Sequence, residues 1–336
     1  MHPVIRIVIP CHNCARTIQR ALNSLKQQSF HDFEAVLVDD GSTDDTWQII
    51  TDYAAQSELK LLCITQKHAG AAAARNLGMK DSAAPYLMFL DSDDVYHPDM
   101  LRALCHGIEK GYDAVFCYTS RNVEAVFSDT HPVCSDCFHS LEIQDAMKRF
   151  MYHKQRIHFT GFLYRTSILK EHSITFRSGV RYGEDLEFVW KYLAHCNNTC
   201  VIDAPLYGYE NHPDSAVHQV QWRKTDLADA MLRTSQYLKK HCPAFAESFD
   251  AYMLPRSMWT VAKTFAAGQK ADMYHLFCQR YHLKRYMRRL YQSAPNQLLR
   301  HSARLYLINP WLFYYGVGLA CRLRKKPKRR DIHAPD

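Results

Sequence analysis

Apolar runs of strand length alternate with helix-patterned segments through the first third of the chain, and this alternation constrains the fold more than any single motif. The runs are Val4 to Pro10, Glu34 to Asp39, Leu59 to Thr65, Tyr86 to Leu90 and Ala114 to Tyr118. Helical patterns fall between them, from about Thr17 to Gln28, Thr43 to Ser57, Gly70 to Met79 and Pro98 to Gly111. Strands separated by single helices are joined by crossovers, so the order predicts an α/β region with a mostly parallel sheet and helices on both faces. Periodicity fades from Thr119 to about Ser140, where a surface connection is expected. Leu141 to Tyr152 then reads as a helix and Phe159 to Tyr164 as a strand, while Leu186, Val189, Trp190 and Leu193 mark one helical face. Val201-Ile202 and Leu206 to Tyr209 read as closing strands. Beyond about Val220 only helical patterns remain: Arg223 to Lys240, Phe245 to Ala267 and Asp272 to Tyr291. The expected organisation is a catalytic α/β region over residues 1–218 and an all-helical region over 219–336.

Two of the strands end in acids. Ala35-Val36-Leu37-Val38 runs into Asp39-Asp40-Gly41-Ser42, and Tyr86 to Leu90 runs into Asp91-Ser92-Asp93-Asp94. An isolated Asp-x-Asp is most simply a solvated loop before the next helix. The repetition changes that reading, because ligands of open α/β sheets bind outside the carboxyl ends of the strands, where strand order reverses. Close carboxylates raise one another's pKa unless a cation compensates, so the second cluster reads as a site for a hard divalent metal able to carry a diphosphate.

The chain of 336 residues is 47% hydrophobic and 23% charged, which is globular composition with ample material for a core. Its apolar start is too short for a secretory signal, so a cytoplasmic location is expected. Twelve cysteines without such a signal read as reduced thiols. Cys11/Cys14 and Cys134/Cys137 have CxxC spacing, but the first pair straddles a strand end and a helix start and the second lacks flanking ligands, which argues against a structural zinc. The net charge of +8 is concentrated late, in Arg280 to Arg304 and in the run Arg322 to Arg330. Between them Leu305 to Ala320 is apolar and aromatic, yet short and interrupted for a membrane span. Aromatic rings beside Lys/Arg clusters suit a lipid interface, so the tail is expected to place the protein peripherally at the cytosolic face of an anionic membrane. A helix packed on the protein is the alternative.

Taken in order, Val8-Ile9-Pro10-Cys11-His12-Asn13, Val38-Asp39-Asp40-Gly41-Ser42, Gly70 with Arg75-Asn76-Leu77-Gly78, Asp91-Ser92-Asp93-Asp94 and Gly183-Glu184-Asp185 resemble glycosyltransferase family 2, whose members have the GT-A fold, a Rossmann-like arrangement. The resemblance covers about residues 4 to 215. It implies an inverting transfer of a sugar from a nucleotide sugar, a UDP-sugar by preference, to a glycan acceptor in cell-surface polysaccharide or lipopolysaccharide synthesis; the tail, and not the motifs, points to a glycolipid acceptor.

It also implies roles residue by residue. Pro10, His12 and Asn13 would meet the nucleotide; the family usually has Tyr where His12 stands, and Asn13 taken alone reads equally as a helix N-cap. Asp40 would accept from a uracil imide. Lys67 and His68 are weaker candidates for the diphosphate or nucleotide. Gly70 and the alanines after it would let the backbone approach closely, and Arg75 would hold carboxylates or phosphate oxygens. Asp93 would bind Mg²⁺ or Mn²⁺, with Asp91 and Ser92 beside it and His212 as a further metal candidate. Asp185 would take the proton from the acceptor hydroxyl, supported by Glu184. Two other readings are weaker. Sugar-phosphate nucleotidyl transfer usually needs a Gly-rich phosphate loop, which Cys11-His12-Asn13-Cys14 does not offer. A non-catalytic nucleotide-binding or nucleic-acid-binding module is the other, and no nucleic-acid-binding fold is recognisable, so no nucleic-acid partner is expected.

Overall fold

The computed structural model describes residues 3–129, 131, 133–152, 157–210 and 220–325. Nine strands form one sheet: β1 Ile5–Cys11, β2 Phe33–Asp39, β3 Lys60–Thr65, β4 Tyr86–Phe89, β5 Val95–Tyr96, β6 Ala114–Ser120, β7 Phe138–Glu142, β8 Phe162–Arg165 and β9 Asn198–Gly208. Their spatial order is β3-β2-β1-β4-β8-β6-β9-β5, with β7 also paired to β9. The block β3-β2-β1-β4 is parallel, as is β6 with β9, whereas β8 runs against both β4 and β6.

Eight helices accompany the sheet: α1 Ile18–Lys26, α2 Thr46–Gln56, α3 Ala71–Met79, α4 Met100–Glu109, α5 Val123–Ser128, α6 Ile143–Tyr152, α7 Thr166–Glu171 and α8 Glu184–Leu193. Alternation along each central strand sends side chains to both faces. Ile5, Ile7 and Ile9 of β1 pack with α1 and α4, while Val8 and Phe89 join the core on the opposite side. There α3 lies so close that a Cβ on Gly78 would stand 2.4 Å from Val8 Cγ1.

Seven helices follow: α9 Asp226–His241, α10 Pro243–Ser248, α11 Leu254–Ala267, α12 Ala271–Arg280, α13 Leu283–Ser293, α14 Gln297–Ile308 and α15 Pro310–Lys325. They extend one of the two sheet-side cores. Trp190 of α8 meets the rings of Phe245 at 5.6 Å and Phe249 at 5.3 Å.

Several boundaries differ from the sequence reading. The supposed connection from Thr119 to Ser140 holds α5 and β7. The two closing strands are one strand, β9, whose ladder with β6 shifts register where Tyr118 faces Pro205, a residue without an N–H to offer. Asp272 to Tyr291 is two helices, broken at His282, whose φ of 49° is left-handed. Phe245 to Ala267 is interrupted by a π-turn over Phe249–Met253. No helix of the described residues is long and apolar enough to cross a membrane. The apolar segment from Leu305 packs by one face: Phe313 and Tyr314 are buried, Gly318 leaves no room for a Cβ against the Ala266 carbonyl, and Tyr274 donates to the Pro310 carbonyl at 2.7 Å. Its other face, with Ile308, Leu312, Tyr315, Leu319 and Leu323, is exposed.

Candidate active site

Strand order reverses around β1, with β2 and β3 added on one side before the chain returns as β4 on the other. The carboxyl ends of these strands therefore diverge to leave a crevice. A cavity of about 1140 Å³ occupies it, lined among others by Pro10, His12, Asn13, Asp40, Arg75, Asp91, Ser92 and Asp93. These expected site residues thus converge from four separate segments. Lys67 is exposed and outside this lining. His212 lies outside the described residues. A second hollow, of about 620 Å³, lies among α9, α10 and α13, but its Lys239 and Asp250 are paired to each other at 2.7 Å.

Asp40 closes the crevice beneath β2 and is 2% exposed. Its Oδ1 accepts from Gln66 Nε2 at 2.6 Å and from the Ala69 amide at 2.8 Å; Oδ2 accepts from the Gly70 amide at 2.8 Å. Burial works against the charged form, yet these donors hold the carboxyl below its usual pKa. His68 Nδ1 stands 2.9 Å from Oδ2, so a base imide would reach Asp40 by displacing that ring. Gly70 serves here through its amide and its φ of 92°. A Cβ there would meet nothing of the chain within 4 Å, so this glycine faces open space, and the close approach of α3 to the sheet is at Gly78.

Asn13 does not cap α1, which begins after Thr17. In a left-handed conformation (φ 49°), its Oδ1 accepts from the Thr43 amide at 2.8 Å, tying the loop after β1 to the loop after β2. His12 Nδ1 is 3.0 Å from the Asp40 carbonyl, and its ring stacks on His68 with centroids 4.3 Å apart.

The acids after β4 separate into different environments. Asp94 is fully buried, accepting from the Tyr207 hydroxyl at 2.5 Å and the Glu210 amide at 2.7 Å. Burial, with Asp91 and Asp93 nearby, pushes its pKa well up. Asp91 and Asp93 line the cavity, and Arg20 Nη2 donates to the Asp93 carbonyl at 3.0 Å while pairing with Glu210 at 2.6 Å. Asp91 Oδ1 accepts from Arg75 Nη2 at 2.7 Å, so the carboxylate expected beside the Asp93 metal site is engaged by a guanidinium.

Arg75, 6% exposed, also stands 3.6 Å from Glu184 Oε1 and lies over the rings of Phe159 at 4.6 Å and Phe176 at 5.4 Å. Burial disfavours its charge, but Asp91 and Glu184 outweigh that and keep it protonated. Of the two contacts expected for Arg75, the structure has the one to carboxylates, and these belong to the chain itself.

Glu184 and Asp185 open α8 behind Gly183, whose φ is 85°. They do not line the cavity; Arg75 joins Glu184 to it. Burial, with Asp185 beside it, pushes the Glu184 carboxyl up to about 7 despite Arg75. His158 lies against Tyr207 and Tyr209 and is held neutral, its pKa lowered by burial against the pull of Asp91 and Asp185.

Sequence reasoning missed Arg20, His158, Tyr207 and Glu210. The run Tyr207-Gly208-Tyr209-Glu210 at a strand end was the available signal, since a Tyr and an acid leaving a sheet beside another acid loop are placed to bond it.

The donor chemistry fits a hard cation. Asp93 and Asp91 offer carboxylate oxygens to a roomy cavity, and Mg²⁺ characteristically binds one or two carboxylates and completes its shell with water and substrate phosphates.

A mostly parallel sheet with its site at the strand-order reversal defines a nucleotide-type α/β enzyme. The sequence model described as glycosyl transferase family 2 matches residues 6–173, half of the chain, and the chain belongs to that family. It is 26% identical over 223 residues to the uncharacterized glycosyltransferase EpsJ of Bacillus subtilis (64% of this chain, 63% of EpsJ). It is 28% identical over 211 residues to the poly(ribitol-phosphate) beta-N-acetylglucosaminyltransferase TarS of Staphylococcus aureus (60% of this chain, 35% of TarS). The matches thus span less than two thirds of these relatives. In structure, TarS 1–349 in complex with UDP-GlcNAc superposes with a TM-score of 0.64 at 20% identity, covering 96% of this chain and 93% of that one. A mannosyltransferase from Pyrobaculum calidifontis in complex with GDP-Man and Mn²⁺ superposes with a TM-score of 0.55 at 16% identity, covering 97% and 89%. The GT-A fold with a helical C-terminal region, expected from the motifs, is the fold observed.

Proposed function

We propose that the chain is an inverting, metal-dependent glycosyltransferase that moves a sugar from a UDP-sugar to a saccharide or lipid-linked saccharide acceptor in cell-surface glycan synthesis. The observation that carries this reading is the bridge Asp91–Arg75–Glu184, which fixes the acid loop of the nucleotide crevice to the helix bearing Asp185. Donor and base must hold one geometry for an in-line displacement, and a buried guanidinium between two carboxylates supplies it. Asp40 and His12 would receive the base, and Asp93, with Asp91 and His212 as further candidates, would hold Mg²⁺ or Mn²⁺. Such an ion neutralises charge on a departing nucleoside diphosphate. Asp185 would take the proton of the acceptor hydroxyl as that oxygen attacks the anomeric carbon opposite the leaving group. Glu184, with its raised pKa, orients the acceptor or supports the base. The TarS complex with UDP-GlcNAc and the mannosyltransferase complex with Mn²⁺ support the donor class and the metal.

The acceptor side rests on the last two helices. Exposed Ile308, Leu312, Tyr315, Leu319 and Leu323 follow Arg300 and Arg304 along the chain, a combination that suits an anionic lipid surface at the cytosolic face. A panel of UDP-sugars with Mg²⁺ or Mn²⁺ should give metal-dependent donor hydrolysis with one member. Absence of both hydrolysis and calorimetric UDP binding would overturn the reading. Removing residues after about 300 should release the protein from anionic vesicles, and undiminished sedimentation with them would assign the segment to packing alone.

A further inference from the structure

Among the described residues, one group of three metal-capable side chains converges, and it is not the acid loop after β4: the ligand atoms of His12, Asp40 and His68 lie within 4.8 Å of one another. The three residues follow three adjacent parallel strands, β1, β2 and β3, so the sheet fixes their spacing. His68 Nδ1 is 2.9 Å from Asp40 Oδ2, and Nδ1 of both rings sits near the Asp40 carbonyl, at 3.0 Å for His12 and 3.1 Å for His68. Two ligands about 2.0 Å from one tetrahedral ion stand about 3.3 Å apart, so the pair at 2.9 Å has to open slightly and the widest pair to close by at most about 1.5 Å. The Asp40 carboxylate is oriented from behind by Gln66 and the Ala69 amide, as outer-shell donors orient ligating carboxylates.

We propose that His12, His68 and Asp40 form a binding site for a transition-metal ion of the zinc class, distinct from the oxygen-ligand site at Asp93, and that its occupation excludes the nucleobase. Two nitrogens and one carboxylate select Zn²⁺, Co²⁺ or Ni²⁺ over Mg²⁺. Binding draws both rings onto Asp40, where a base would have to enter. The site itself stands apart from the proposed function; only the competition rests on it.

The probe is Co²⁺ added to the full chain in excess Mg²⁺, with Cys134→Ser and Cys137→Ser included because those thiols, one exposed and one half-buried, 3.2 Å apart, would compete for metal. The expected result is a visible d–d spectrum displaced by Zn²⁺, with affinity lowered at least tenfold by His12→Ala and by His68→Ala and unchanged by Asp93→Ala. Both histidine side chains are exposed, so the variants keep the fold, which circular dichroism checks. No spectrum, or a spectrum indifferent to both histidine changes, overturns the site. Zn²⁺ should also weaken UDP binding at least tenfold in the parent protein and not in the His68→Ala form. Equal UDP affinity with and without bound Zn²⁺ overturns the exclusion of the base, whereas a failure of UDP to bind even without Zn²⁺ falls on the proposed function.

Discussion

At the scale of single residues, three neighbouring aspartates illustrate how position divides labour among identical side chains. Asp94 is buried under Tyr207 and bonds the chain leaving β9, Asp91 is paired with Arg75, and Asp93 lines the crevice, where we propose that it meets a cation. Asp93→Ala is therefore expected to weaken donor binding in Mn²⁺ and to abolish its metal dependence while leaving the melting temperature within a few degrees. Calorimetry with and without metal checks both. Asp185→Asn keeps shape and hydrogen bonding but removes the base, so transfer should fall by about 10²–10⁴-fold with UDP affinity nearly unchanged; a parallel loss of UDP affinity would refute the assignment. The sequence made the candidates legible because acids at two strand ends are conspicuous. It did not make Asp94 legible as the buried member, since which of three consecutive carboxylates meets Tyr207 depends on where β9 docks, a contact separated by 113 residues. Arg75 was visible as functional but not as a brace, for the same reason: its partners Asp91 and Glu184 lie on different elements.

At the scale of elements, the strands and crossover helices of the first third, the two-residue β5 apart, were readable because each shows an unbroken apolar run or a helical period and ends in punctuating residues. The elements between Thr119 and Ser140 were not, as α5 has six residues and β7 five, too few to establish one. The helix that bears the proposed base, α8, is aimed by its start. Gly183 adopts φ 85°, and a Cβ there would stand 3.1 Å from Leu227 Cα and from Ala230 Cβ of α9. A left-handed non-glycine residue costs about 1–2 kcal/mol before any crowding. Gly183→Ala should thus lower the melting temperature by several degrees and, by tilting the first turn of α8, slow transfer more than it weakens UDP binding. Differential scanning and donor titration separate the two effects, and a variant with wild-type transfer would show that the turn does not position Asp185.

At the scale of the whole molecule, the helical region is joined to the sheet region by core packing and by a polar seam between α8 and α9. Glu187, buried, accepts from Arg233 at 2.7 Å and pairs with Lys191 at 2.9 Å. At the end of α8, His195 stacks on His172 at 3.5 Å and meets the Tyr237 hydroxyl at 2.7 Å, with His241 at 5.1 Å. Burial, with His172 and His241 adding repulsion, lowers the His195 pKa to about 4. The unfolded chain protonates the same ring near 6.5, so between about pH 6.5 and 4 the unfolded state binds more protons and folding stability falls as the solution is acidified. Glu187, its carboxyl held below the usual range by Arg233 and Lys191 despite burial, works in the same direction, losing its pairing as pH falls through its folded value. The His195 contribution should be about 1 kcal/mol, because solvent reaches part of the ring and screens it. Urea midpoints measured from pH 7 to pH 4.5 should therefore decline, and the decline should be shallower in His195→Gln, which keeps a polar partner for Tyr237 but has no charge to gain. An identical slope in that variant would move the acid sensitivity to Glu187, where Glu187→Gln, destabilised at every pH, should then flatten it.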